Sequence, residues 1–112
     1  MKKFLLALTL TIAASAAQAD LHSQLSAQGD YLADVSRECS WSMKVHKKWN
    51  SECDTMYSKR TSMVNTANGM IKAGTAKSLP QSVVRSVMRG LDQSQLTIDY
   101  AVEAGYRRRV GK

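Results

Sequence analysis

The chain has 112 residues and a formal net charge of +7, with 16 lysines and arginines against 9 aspartates and glutamates. Without the export leader read below, 93 residues remain with an excess of five positive charges, enough for one small domain and too few for two. No Gly-x-Ser-x-Gly elbow, His-Glu-x-x-His or glycine-rich phosphate loop occurs, so no enzymatic activity is expected.

The first element is a leader. Met1-Lys2-Lys3 is a short basic start, Phe4 to Ala14 is apolar apart from threonines, and Ala17 and Ala19 put small residues where an export peptidase reads. The apolar run is too short for an ordinary membrane span. The sequence therefore predicts a cleavable secretory signal over residues 1–19, a single domain over 20–106, and a basic tail over 107–112. The mature chain is expected to start at Asp20 and to reside in the periplasm or outside the cell.

From Leu32 the chain reads as helix. Apolar residues recur at Val35, Cys39, Met43, Cys53, Met56, Met63 and Met70 in steps that keep a helical face, and strand-like alternation is absent. The stretch is long for one globular helix, and Asn50-Ser51 is the best break. Ser51 is the candidate cap, with Asp54 three residues on, and Lys44, Lys47 and Lys48 precede it where cations suit a helix C-terminus. A second helix is expected from about Ser51 to Lys72, closing at Gly74. A third is expected after Ser78, read as its cap, with Pro80 in the first turn and Gln81 completing the box. Its apolar stripe is Val84, Val87, Leu91, Ile98 and Val102. Gly90 either weakens it or admits another helix at close range. The fold class is all-α: a small three-helix bundle, or a helical hairpin plus a third helix, stapled by one disulfide.

Cys39 and Cys53 carry that last expectation, because an exported protein meets oxidising conditions. On one unbroken helix they would stand about 21 Å apart along the axis, at ~1.5 Å per residue. A disulfide needs Cα atoms within roughly 7 Å, so an internal bridge requires the chain to reverse between them. The alternative keeps the helix whole and pairs the cysteines between two chains of a coiled coil.

The remaining candidates are binding residues. Met56, Met63 and Met70 repeat every seven residues; their sulfurs would be about 10 Å apart along a helix, too far to share a copper ion, so they read as core or as an adaptable groove for a partner. Trp41 and Trp49 flank the turn and are candidates for the same contact surface or for the plug beneath it. Arg107, Arg108, Arg109 and Lys112 can meet an anionic surface. His46 and His22 are too few for a zinc site beside the two cysteines, so neither metal nor cofactor is expected. Nucleic acid is not an expected partner, since no aromatic interleaving or reader motif accompanies the basic run.

The function these features suggest is binding of another envelope protein, as an accessory piece of a secretion or conjugation machine or as an inhibitor or immunity-type partner. A peripheral membrane or lipopolysaccharide binder acting through the tail and tryptophans is one alternative, and a periplasmic chaperone another. Self-association is a further possibility left open by the coiled-coil reading.

Overall fold

The computed structural model describes residues 2–107, with side chains from residue 20 onward. It is a three-helix bundle. Helix α1 spans Lys2–His46, α2 spans Ser51–Ala73, a single 3-10 turn covers Ala76–Ser78, and α3 spans Gln81–Glu103. The helical face read from Leu32 begins earlier than that reading placed it. Residues 20–31 continue the same helix, and Leu25 and Gly29 on them are buried.

The reversal between the cysteines is real. Cys39 and Cys53 form a disulfide with their Cα atoms 4.7 Å apart, and α1 and α2 run as a hairpin around it. The turn starts earlier than Asn50. Met43 O accepts the Lys47 N–H at 2.7 Å, and Lys47 itself adopts φ 60°, the left-handed conformation that glycine usually supplies. Holding a lysine there costs about 1 kcal/mol of backbone strain. Asn50, rather than Ser51, is the residue before α2. Its carbonyl accepts the Cys53 and Asp54 N–H groups, while its side-chain amide donates back to the Ser42 hydroxyl at 2.6 Å. The Asp54 carboxylate does not complete a capping box; it accepts the Trp49 indole N–H at 2.7 Å.

Both left-handed glycines end helices. After α2 the Gly74 N–H bonds Ile71 O and the Thr75 N–H bonds Met70 O; after α3 the Gly105 N–H bonds Val102 O and the Tyr106 N–H bonds Ala101 O. These crossed pairs satisfy carbonyls that the helix leaves open. Ser78 is not the cap of α3. It closes the 3-10 turn, donating its hydroxyl to Thr75 O, and Pro80 is the residue before the helix.

The largest correction concerns α3. The stripe of Val84, Val87, Leu91, Ile98 and Val102 is only half-buried, and the fully covered face is Val83, Ser86, Gly90, Ser94, Thr97 and Ala101. Small side chains let α1 and α3 approach until backbones touch. A β-carbon on Gly90 would lie 2.5 Å from Gly29 O, and one on Gly29 would strike the Ser86 carbonyl. The hydroxyls in this seam are not orphaned. Ser26 donates to the Ser86 hydroxyl at 3.0 Å, and Thr97 donates to Ser36 O and to Gln93 O. The larger apolar residues flank the seam. Val87, Leu91 and Ile98 pack on a core of Leu32, Val35, Cys39, Met43, Met56 and Met63.

Candidate functional site

Two ends of the bundle differ, and α2 explains why. Its buried residues are Cys53, Met56 and Met63, none of them among the last ten residues of the helix. Beyond Met63 the helix has only half-buried or exposed positions, so α2 leans on α1 at one end and stands away from α3 at the other. The space between is an apolar groove of about 240 Å³. Helix α2 supplies Met63, Ala67, Met70 and Ile71 to one wall, and α3 supplies Val84, Val87 and Met88 to the other. Leu25 of α1 forms the floor, and Ala76 and Leu79 close the end beneath. Ile71 is 66% exposed and Met88 48%, so apolar surface spills over both rims. An unfilled concave apolar surface flanked by exposed aliphatic side chains is the ordinary form of a binding site.

The stapled end is filled instead. The Arg107 guanidinium stacks 4.6 Å from the Trp49 ring centre and 4.1 Å from that of Tyr57, whose rings meet edge to face. Tyr106 stands against Tyr100, and Lys44 lies over the Tyr100 ring. The start of the basic tail is thus held against the turn it follows by more than 50 residues. Arg107→Ala is expected to lower stability by about 0.5–1 kcal/mol and to change the tryptophan emission, read by urea titration and fluorescence. An unchanged spectrum would mean that Arg107 does not rest on Trp49 in solution.

The candidates divide as follows. Met56 and Met63 lie in the core, and of these Met63 also lines the α2 wall of the groove together with the half-buried Met70. Trp49 is half-buried under Arg107, whereas Trp41 is 66% exposed beside Arg37, Glu38, Ser42 and Glu52, away from the groove. Arg108, Arg109 and Lys112 lie outside the described residues. His46 is exposed at the end of α1. Among the described residues, Met70 lines the groove, while both tryptophans, and Arg107 with Trp49, stand away from it.

Sequence reasoning missed Leu25, Ala67, Ile71, Leu79 and Met88 as groove residues. One signal was present. Residues 55–91 contain no aspartate or glutamate but six cations, namely Lys59, Arg60, Lys72, Lys77, Arg85 and Arg89. That interval covers most of the groove. Among the described residues no helix is long and apolar enough to cross a membrane.

These features define a class, a disulfide-stapled three-helix bundle with an apolar groove at its open end. No family model, curated protein or solved structure matches the chain.

Proposed function

We propose that this is a small exported helical protein of the bacterial envelope that acts by binding another protein through the groove between α2 and α3. The observation that carries the reading is the groove itself, an apolar concavity that the bundle builds and leaves unfilled. The role suits an accessory component of a secretion or conjugation machine, or an inhibitor or immunity-type partner. The leader over residues 1–19 and the disulfide support export, since such bridges persist in oxidising compartments.

Position-specific photocrosslinking in bacterial cells tests this. A crosslinking side chain at Met70 or Met88 is expected to give one adduct of discrete mass, whose protein component mass spectrometry identifies. The same side chain at Asn65, exposed on the opposite face of α2, should give none. Lipid adducts, or equal labelling from Asn65, would overturn the reading. Recovery of the chain in the cytoplasm with residues 1–19 intact would overturn the export half of it.

A further inference from the structure

The positive charge of the domain is collected at its stapled end. Residues 44–57 and 100–107 meet there around the disulfide. With the tail that follows, they hold seven lysines and arginines against three carboxylates, Glu52, Asp54 and Glu103. The other residues from Asp20 onward hold seven cations against six carboxylates. The stapled end therefore carries four of the five excess charges that remain without the leader.

The fold joins cations that the sequence keeps far apart. The Lys44 ammonium lies over the Tyr100 ring, and the Arg107 guanidinium rests on Trp49 and Tyr57 beside the turn that carries Lys47 and Lys48. After Gly105 the chain folds back, the Arg107 N–H donating to Ala101 O at 3.2 Å. Five residues follow Arg107, a reach of at most about 18 Å, so Arg108, Arg109 and Lys112 are tethered within that distance of it. Lys44, Lys47 and Lys48 are exposed and make no salt bridge among the described residues. Of the three carboxylates, Asp54 is engaged by the Trp49 indole N–H.

Apolar surface lies beside these charges. Asp34, Glu38, Trp41 and Val45 follow one another in steps of three and four along one exposed face of α1, ending just before the lysine turn. Trp41 is 66% exposed and Val45 49%. A bundle tilted onto its stapled end lays Trp41 and Val45 at headgroup level among lysines, and lifts Asp34 and Glu38 into water. Tryptophan concentrates at that level of a membrane, and clustered lysine and arginine are drawn to its anionic phosphates.

We infer that the stapled end docks on an anionic phospholipid bilayer through Lys44, Lys47, Lys48 and the basic tail, with Trp41 and Val45 at the headgroups. The inference goes beyond the protein-binding reading and does not rest on it. The cations come from the end of α1, the turn and the chain after α3, so they ring the tip and match a continuous sheet of phosphate. Val84 in the groove wall stands 19 residues before Glu103, about 28 Å back along α3, so the groove stays open to a protein while the tip is docked.

The test uses the oxidised chain beginning at Asp20, which keeps every core residue and removes the apolar leader as a source of lipid binding. Sedimentation with phosphatidylglycerol vesicles is expected to be at least about tenfold tighter than with phosphatidylcholine, and to weaken as salt rises. K47N/K48Q is expected to lower the affinity about tenfold or more, and R108Q/R109Q to do the same. Asparagine tolerates the left-handed backbone of Lys47, so the turn is kept. K72Q/K77Q removes the same charge at the open end and should leave the affinity within about twofold. Tryptophan emission should shift to the blue on phosphatidylglycerol, and Trp41→Phe should remove that shift. Equal affinity for the two lipids, sedimentation with neither, equal losses from K47N/K48Q and K72Q/K77Q, or a blue shift that survives Trp41→Phe would overturn the inference. So would binding to soluble polyglutamate that phosphatidylglycerol vesicles do not displace, which would assign the basic end to an acidic protein.

Discussion

Gly29→Ala is expected to destabilise the protein by about 2 kcal/mol, while Gly69→Ala stabilises it by roughly 0.5–1 kcal/mol. In both cases a helical glycine becomes alanine, and helix propensity alone favours the change each time. Surroundings decide the sign. A β-carbon on Gly69 meets nothing within 4 Å, so only the propensity gain remains. A β-carbon on Gly29 is driven into the backbone of α3 at Ser86 and Val87, which has no rotamer to yield. The helices must part, and the Ser26–Ser86 and Thr97–Ser36 hydrogen bonds lengthen with them. Urea denaturation measures the two shifts, and the Gly29 loss corresponds to a melting point roughly 10 °C lower for a domain of this size. Gly90→Ala should cost a similar amount, since its β-carbon meets Gly29 O and Leu32 Cβ. The double variant should lose less than the two single losses combined, because helices already separated by one methyl accept the second. A neutral or stabilising Gly29→Ala would show that α1 and α3 do not cross at this distance.

That crossing also marks where sequence reading stopped. Helix identity was legible, because apolar residues from Leu32 to Met70 recur at helical spacing and that stretch holds no proline and only Gly69. The hairpin was legible too, because two cysteines 14 residues apart can join within one chain only if the chain reverses. The buried face of α3 was not. Ser86, Gly90, Ser94 and Thr97 read as a polar stripe by hydropathy, and their burial depends on a facing helix that offers Gly29 and Ser36 in register. Lys47 gave no sign of a left-handed turn, since nothing local distinguishes it from its lysine neighbours. Of the candidate groove, the methionine spacing had singled out Met63 and Met70, which line it. The opposing wall came from residues closer in space than in sequence, and the acid-free interval from residue 55 to 91 passed unread.

Cys39→Ala with Cys53→Ala is expected to cost about 3 kcal/mol, the chain-entropy value for a loop of this length. Against the 5–15 kcal/mol typical of a folded domain, that is a large share. The loss should be distributed unevenly. Helices α1 and α3 keep their small-residue seam, which does not involve the staple. Helix α2 has Cys53, Met56 and Met63 as its only buried side chains among the described residues, so it depends on the bridge to stay on α1. Hydrogen exchange should therefore accelerate first in α2, with α1 beyond Leu25 and α3 protected longest. Urea melts of the oxidised protein and the double variant read the size of the effect. The midpoint should fall and the slope should rise, because an uncrosslinked denatured chain exposes more surface. Intact mass adds an independent reading: the oxidised protein should be a monomer two hydrogens lighter than its reduced form. A covalent dimer split by reductant would instead place the bridge between chains. Because α2 supplies one wall of the groove, the double variant should also lose the adducts expected from Met70 and Met88.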